Sequence, residues 1–389
     1  MKKLPPSTGL IFMIEYIPTF NRAHVRVERV PTKEGGSLMK HYTGIDFHKQ
    51  FSLVAEMDQN GNLMNEQKLY HTDKNELVNY FSSLPKSTSV SIEATRNWYW
   101  LVDLLQDLSL DVKLVHAKKA RVIAESTIKT DKIDARILAH LDRCNFLPQA
   151  YIADKNTRSS RELLRYYMSL VKIRSSVKNR IHAILSKNNI HHGFSDLFGK
   201  AGSLFLEELD LPQIYRSNLD GYLAVLENLK QQIALAQKQI KETCKNSIYT
   251  QKLVTIPGIS YFSALLIAAE IADINRFRNY KKLCCYAGLV STTHQSADKV
   301  YHGRLIKDSN KYLRYALIEA VSTAVRKDPE LWNFYQKISR AKGKNKARVA
   351  VARKLLIAIY YMLKNSADYE KNKNYRYLRV NPVVKLGTI

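Results

Sequence analysis

The spacing of apolar residues changes several times between residues 40 and 150. Short β-type runs alternate there with stretches of helical period, which predicts an α/β fold with a mixed sheet. The predicted strands are residues 42–46, 51–55, a third ending near residue 70 after the Asn60-Gly61 turn, 89–93 and 112–115. The predicted helices are residues 77–84, 98–108 and 132–141.

From Thr157 onward the strand signal ends, and the pattern predicts a mostly helical chain. Apolar residues spaced by three or four predict a long helix over 163–184. A strict alternation of threes and fours over 219–240 is typical of a coiled coil, within the chain or between protomers, although an ordinary helical hairpin explains it equally well. Further helices are predicted at 263–271, 309–326 and 346–364. Ile256-Pro-Gly-Ile259 resembles the turn of a helix-hairpin-helix element, which presents backbone N–H groups to a phosphate.

The net charge of the chain indicates the kind of molecule that it binds. The 389 residues include 61 Lys and Arg against 35 Asp and Glu, a formal net charge of +26. Such an excess favours a polyanion, because cations that neutralise phosphates release condensed counterions. No apolar run approaches the roughly 18 residues of a membrane helix. The four cysteines form no C-x-x-C pair, so a reducing cytoplasm is the expected compartment.

Two basic regions are candidates for nucleic-acid contact. The polar faces of the first long helix carry Arg165, Lys172, Lys178 and Arg180. A basic run over 340–348 contains Lys342, Lys344, Lys346 and Arg348, and we interpret it as a phosphate-binding strap between two helices. A charge run is usually a solvated surface, but the net charge of the chain favours nucleic acid here.

Four carboxylates form the candidate catalytic constellation. Asp46 ends the first predicted strand, Glu93 ends the fourth, and Asp131 and Asp134 share one face at the start of a helix. Any one of them alone could be structural, as a helix cap for example. Their order along the chain is that of ribonuclease-H-like nucleases. Clustered acids repel one another without a cation, so we expect Mg²⁺ or Mn²⁺, whose hard oxygen ligands act on phosphates.

Six short motifs along the chain are specific in combination and in order. They are Tyr42-Thr-Gly-Ile-Asp-Phe-His-Lys49, Ser91-Ile-Glu-Ala-Thr95, Lys129-Thr-Asp-Lys-Ile-Asp-Ala135, Ile256-Pro-Gly-Ile259, Tyr286-Ala-Gly-Leu289 and Gly303-Arg-Leu-Ile-Lys-Asp-Ser-Asn-Lys-Tyr-Leu-Arg314. Together they resemble the motifs of the DEDD transposases of the bacterial insertion-sequence family numbered 110, to which the Piv-type invertase is related. The resemblance covers about residues 40–365.

The resemblance implies a division of the chain. A RuvC-like domain is expected over 40–150, a helical coiled-coil linker over 151–248 and a transposase domain over 249–365. An extension over 1–39, expected to be poorly ordered, and a tail over 366–389 flank them. The resemblance also implies a composite active site completed by the acids of another protomer, hence a homodimer or tetramer. Donor and target DNA would be recognised through a bridge RNA.

The resemblance further implies a serine that joins the DNA strand covalently. The matching position is Ser296. The family usually has Pro where Ser291 stands and Gly where Ala297 stands, and alanine restricts the backbone more. Because of these departures, Ser291 is a rival assignment and Ser309 a remote alternative. His294 would assist as a base or be an ordinary loop histidine. Lys299 and Arg304 would neutralise charge on the phosphate or contact the DNA backbone.

Three functions follow from these observations. The first is an insertion-sequence transposase that cuts and rejoins DNA, acting in the bacterial cytoplasm at the nucleoid. The second is a RuvC-like junction nuclease that uses water and forms no covalent intermediate. The third is a non-catalytic nucleic-acid-binding protein, in which the carboxylates would be dispensable.

Overall fold

The computed structural model describes residues 40–95, 97–123, 131–296 and 299–369. The predicted extension over 1–39 and most of the predicted tail therefore lie outside the described residues. The described chain divides into two compact units, the first ending at Ile152 and the second beginning at Ala153. No described helix combines the length and the apolar character needed to cross a membrane.

The first unit is built on a six-stranded mixed sheet in the order β3-β2-β1-β4-β5-β6. The β1-β4 and β4-β5 pairs are parallel, and the other pairs are antiparallel. The predicted mixed sheet is thus confirmed, with one short strand, β6, that the sequence pattern missed. The strands are β1 (Tyr42–Phe47), β2 (Phe51–Met57), β3 (Leu63–Tyr70), β4 (Ser89–Glu93), β5 (Asp111–Val115) and β6 (Gln149–Ala150).

Helices cover both faces of this sheet. One face carries a core to which the β1 and β4 residues Ile45 and Ile92 contribute fully buried side chains, together with Leu77 and Leu101 from two helices. The opposite face packs on the helix of the third carboxylate motif. The helices of this unit are α1 (Lys74–Ser83), α2 (Tyr99–Asp107), α3 (Ala117–Ile123) and α4 (Asp131–Arg143).

Helix α4 lies unusually close to strand β1. A Cβ atom added to Gly44 would stand 2.0 Å from the backbone oxygen of Ala135 and 2.6 Å from the backbone nitrogen of Ala139. Both obstacles are backbone atoms, so no side-chain rotation relieves the clash. Gly44 therefore permits the contact that holds α4 on the sheet.

The second unit contains two helices of 33 residues, α5 (Lys155–Lys187) and α7 (Gln213–Lys245). They pack antiparallel within the chain, because Tyr166 bonds to Gln232 at one end of the pair and Arg180 bonds to Tyr222 towards the other. The helix α6 (Lys200–Glu208) adds Leu206 to the same apolar core. The apolar stripe of α7 is therefore used inside the chain. Supercoiling of the pair and pairing between protomers stay predictions.

The remainder of the unit is a helical cluster with one β-hairpin. The cluster shares its core with Leu164 of α5 and Ile240 of α7. The boundary expected between residues 248 and 249 stays a prediction. The elements are α8 (Ile248–Val254), α9 (Tyr261–Ile271), α10 (Tyr280–Tyr286), β7 (Ser291–Ser296), β8 (Lys299–Leu305), α11 (Lys311–Lys327), α12 (Pro329–Lys342) and α13 (Lys344–Lys364).

Two expectations for this region need correction. The strand signal does not end at Thr157, because β7 and β8 form a hairpin. The basic run over 340–348 is not a separate segment between helices, because it forms the end of α12, a turn at Gly343 and the start of α13.

The helix-hairpin-helix interpretation of Ile256-Pro-Gly-Ile259 stays a prediction. A Cβ on Gly258 would stand 2.5 Å from the backbone oxygen of Ala320, so this glycine lies close against α11.

We expect the substitution Gly44→Ala to destabilise the first unit. The added methyl group must push α4 off the sheet, at a cost of about 1–3 kcal/mol or more in the free energy of opening. The measurement is amide hydrogen exchange of β1 and α4 by mass spectrometry. The control is Gly221→Ala in α7, where the added atom meets nothing within 4 Å, and where alanine should raise local stability by up to about 1 kcal/mol. Unchanged protection of β1 in Gly44→Ala would show that the contact is not needed.

Candidate functional site

Asp46 and Glu93 occupy adjacent positions on neighbouring parallel strands. Ile45 of β1 pairs with Ile92 of β4, so the next residue on each strand is a carboxylate. Neighbouring strands lie about 4.8 Å apart. Since Ile45 and Ile92 face one core, alternation turns both acids to the other face of the sheet, where α4 packs. The first two predicted site residues are therefore brought together.

The third carboxylate motif approaches the same end of the sheet. The last turns of α4 are anchored at the beginning of β4, because Ser89 Oγ donates to Asp142 Oδ2 at 2.6 Å. Its second turn lies against Gly44 in β1. The helix therefore runs opposite to β1 and β4, and its first turn, with Asp131 and Asp134, points to the end of the strands where Asp46 and Glu93 lie.

Asp46 is a buried carboxylate, with 7% of its surface exposed. His48 Nε2 lies 3.0 Å from Asp46 Oδ2, close enough for a hydrogen bond that orients the carboxyl group. Sequence reasoning assigned no role to His48. Its spacing of two residues from Asp46, inside the same quoted motif, was the available signal.

The oxygen donors at this edge fit a hard divalent cation. Mg²⁺ commonly takes one or two protein carboxylates and completes its shell with water and substrate phosphate. The carboxylates of Asp46 and Glu93 supply that minimum. In the described part of the chain, no three His, Cys, Asp or Glu side chains form a metal-binding group. Asp134 is therefore not gathered with Asp46 and Glu93 into such a group. The side chain of Asp131 lies outside the described residues, so the four-carboxylate set stays a prediction.

The candidate nucleophile lies at the end of a hairpin in the second unit. Ser296 is the last residue of β7, and its backbone pairs with Lys299 at the start of β8. Ala297 lies outside the described residues. Ser291, the rival, is at the opposite end of β7, where it pairs with Leu305. The predicted helper His294 is exposed and pairs with Tyr301.

The base of this hairpin is tightly held. Ile306 N donates to Val290 O at 3.1 Å, and Asn310 N donates to Tyr286 O at 2.7 Å. Gly288 adopts a positive φ of 67°, and a Cβ there would stand 2.2 Å from Ser309 Oγ. Ser309 itself donates to Ile306 O. The third serine candidate is therefore part of the packing beneath the hairpin.

A buried glutamate organises the same region. Glu270 of α9 is 3% exposed and accepts hydrogen bonds from Asn310 Nδ2 at 2.7 Å and Arg165 Nη2 at 3.1 Å. Asn310 also caps α11 by accepting a bond from the Leu313 amide. The burial of Glu270 is therefore offset by charged and polar partners. Sequence reasoning missed this network, because Arg165 and Glu270 are more than 100 positions apart in the chain.

The predicted nucleic-acid contacts differ in their surroundings. Arg165 is engaged inside the fold, with its guanidinium over the Tyr312 ring and bonded to Glu270. Lys178 is half-buried, with its ammonium 4.2 Å from the Phe198 ring centre. The remaining side chains are exposed, namely Lys172, Arg180, Lys299, Arg304, Lys342, Lys344, Lys346 and Arg348. These exposed cations are available to phosphates.

Comparison with known proteins finds a transposase family model in each of the two units. A family model described as "Transposase", of the DEDD type of IS110, matches residues 43–190. A second, described as "Transposase IS116/IS110/IS902 family", matches residues 250–336. The first match contains the carboxylate motifs, and the second contains the hairpin with Ser296.

Full-length relatives agree with these matches. The chain is 24% identical to "Transposase for insertion sequence element IS1111A" of Coxiella burnetii, over 84% of this chain and 90% of that protein. It is 23% identical to "Probable family 20 transposase" of Pseudomonas aeruginosa, over 84% of this chain and 97% of that protein. It is 22% identical to "Transposase for insertion sequence element IS1328" of Yersinia enterocolitica, over 71% of this chain and 81% of that protein.

Fold, motifs and relatives together define an insertion-sequence transposase, an enzyme of DNA recombination. The chain belongs to the IS110 family of DEDD transposases. The expectation of a transposase is thus confirmed, and a non-catalytic role is not supported.

We expect Asp142 to be needed for anchoring α4. Its buried carboxylate holds both Ser89 and the Lys113 ammonium, 2.7 Å away. Asp142→Ala removes their shared partner and should lower the free energy of unfolding of the first unit by about 1–3 kcal/mol. Pulse proteolysis in urea measures this change.

The matched control for Asp142→Ala is Asp111→Ala. Asp111 has an exposed side chain and lies 3.8 Å from the same lysine. An exposed ion pair contributes at most about 1 kcal/mol, so this variant should unfold close to the wild type. Equal losses in the two variants would contradict the anchoring role of Asp142.

Proposed function

We propose that this transposase cuts and rejoins DNA with a divalent metal, Mg²⁺ or Mn²⁺, and a serine nucleophile. The metal ligands are Asp46, Glu93, Asp131 and Asp134, and the nucleophile is Ser296. The observation that carries the proposal is the adjacency of Asp46 and Glu93 on parallel strands, with α4 beginning at the same end of the sheet. The assignment of the remaining residues extends from this pair and from the motif match.

The bound metal would supply Lewis-acid stabilisation of charge on the phosphate oxygens. The protein's own contribution is rigidity. Asp46 and Glu93 lie at the ends of strands inside a paired sheet, and His48 fixes the orientation of the Asp46 carboxylate. Groups held in this way need little reorganisation during reaction.

Ser296 fits the role of nucleophile better than its rivals. It lies near the tip of a hairpin whose base is fixed by Asn310 and Gly288. Ser309 is packed beneath that base, and Ser291 lies at the start of the hairpin. In the proposed step the Ser296 oxygen attacks phosphorus, a Ser–O–P bond forms, and the displaced DNA sugar oxygen leaves and takes up a proton.

Nucleic-acid binding is proposed for the exposed cations of α5, β8 and the α12–α13 turn. Donor and target DNA are the substrates, and a bridge RNA guides their choice. A homodimer or tetramer is the proposed acting form. The net charge of +26 supports several simultaneous phosphate contacts.

The carboxylates are tested by Asp46→Asn and Glu93→Gln. Each should reduce strand cleavage by at least about a hundredfold, because an amide is a poor ligand for a hard cation, while DNA binding stays close to wild type. Cleavage of element-end DNA on denaturing gels measures the loss. Chelation should stop the wild-type reaction, and added Mg²⁺ or Mn²⁺ should restore it.

Asp111→Asn is the control for these variants, since Asp111 is an exposed acid at the beginning of β5. It should cleave like the wild type. Full cleavage by Asp46→Asn or Glu93→Gln would exclude the metal site and leave a role in binding alone.

The serine is tested by Ser296→Ala, with Ser291→Ala as its control. Wild type and Ser291→Ala should form a protein–DNA adduct that survives denaturing electrophoresis, and Ser296→Ala should form none, because its side chain has no oxygen to attack phosphorus. Cleavage at the normal rate by Ser296→Ala, without an adduct, would favour the RuvC-like junction nuclease that uses water. Loss of the adduct only in Ser291→Ala would show that Ser291, and not Ser296, is the nucleophile.

A further inference from the structure

Helix α12 carries a large aromatic surface that the proposed catalytic parts do not use. Trp332 is 44% exposed, although tryptophan side chains are mostly buried in folded proteins. The ring of Tyr335, one turn further along, stacks on it with a centroid distance of 6.2 Å and an angle of 21° between the ring planes. The two rings form a nearly parallel pair at the surface.

The core contacts of α12 do not account for Trp332. Leu331 is fully buried, and Phe334 packs against the same core. The apolar face of the helix is therefore already occupied by these neighbours. The indole ring of Trp332 keeps 44% of its surface exposed, and the aromatic ring that it stacks on is that of Tyr335.

Beyond Trp332, every ionisable side chain as far as Arg348 is basic and exposed, apart from the stacked Tyr335. Arg340 lies eight residues, or about 12 Å, further along the helix, a distance that three or four stacked nucleotides cover at about 3.4 Å each. The exposed cations then continue through the turn at Gly343. None of the following side chains forms a salt bridge with a described carboxylate: Lys337, Arg340, Lys342, Lys344, Lys346 and Arg348.

We propose that Trp332 is a stacking platform for an unpaired base of single-stranded DNA, and that Arg340, Lys342 and Lys344 bind the phosphates of the same strand. An aromatic face beside a row of cations is the arrangement that single strands require, because every base has a π-face and every nucleotide carries a charge. Cutting and rejoining DNA exposes such unpaired bases. The inference rests on DNA as the substrate, and on neither the metal nor Ser296.

The chemistry of this surface disfavours other occupants. An apolar protein partner would cover the aromatic pair but would leave the cations of Arg340, Lys342 and Lys344 without a negative charge to bind. Duplex DNA presents its phosphates to the cations but keeps its bases stacked inside the helix, so it does not use the indole face. Single-stranded RNA shares the stacking chemistry, and the experiment below separates it from DNA.

The test is fluorescence anisotropy of the full chain with a labelled oligothymidylate. Trp332→Ala should weaken binding about tenfold or more, which is the effect of losing one stacked base, while affinity for a duplex of equal length changes less than about twofold. Trp332→Phe, which keeps an aromatic face, should retain most of the affinity. Trp332→Leu keeps apolar area without a π-face and should bind as weakly as the alanine variant.

Controls separate stacking from other effects. Leu235→Ala removes another exposed apolar side chain, on α7, and should bind like the wild type. Arg340→Ala and Lys344→Ala should each make the plot of log affinity against log salt concentration less steep. The expected change in slope is that of about one lost phosphate contact. Asp111→Asn replaces an exposed acid outside the proposed metal site and should leave this binding unchanged. The assay measures binding and not cleavage, so the two proposals fail independently.

Four results would overturn the assignment. They are wild-type affinity in Trp332→Ala, recovery in Trp332→Leu, an equal loss on duplex DNA, or tighter binding of an oligouridylate that depends on Trp332. The last result would assign the platform to RNA. Thermal unfolding of each variant at the wild-type temperature confirms that a loss of affinity does not come from misfolding.

Discussion

The first unit depends on a contact between two backbones. Helix α4 can lie on β1 only because position 44 has no side chain, since a Cβ there would fall 2.0 Å from the Ala135 oxygen. This approach sets the height of α4 above the sheet, and the Asp142 contacts with Ser89 and Lys113 set its direction. Together they bring the acidic first turn of α4 to the end of the strands that carries Asp46 and Glu93.

In the second unit, a buried charge holds helices together. Glu270 binds Arg165 of α5 and Asn310 at the start of α11, and Asn310 in turn caps that helix. The hairpin with Ser296 emerges between α10 and α11, so the network fixes its base. The described side chains of the two strands are mostly exposed above this fixed base.

Sequence reasoning succeeded where local pattern and local physics agree. The strands β1, β2, β4 and β5 have β-branched or apolar runs of the right length, and α5 and α7 have long apolar stripes, so both classes of element were predicted. The hairpin β7–β8 was missed because Ser291–Ser296 is polar throughout and offers no alternation. Helix α12 was missed although Leu331, Phe334 and Ile338 have helical spacing, because the basic run that overlaps its end was interpreted as a strap. The Glu270 network was out of reach, because no local pattern indicates which distant arginine or asparagine will meet a buried acid.

The order of the acids, the charge of +26 and the motifs belong to the sequence alone. The motifs were sufficient for the class of enzyme through their resemblance to the DEDD transposases, and the acids and the net charge agree with metal-assisted chemistry on a polyanion. Tertiary structure decided which acids are neighbours, since Asp46 and Glu93 are 47 positions apart and meet only through the parallel pairing of β1 and β4. It also decided that Arg165 is engaged by Glu270 while Trp332 faces solvent. Burial and pairing depend on the packing of the whole chain, so they cannot be predicted from the residue type at one position.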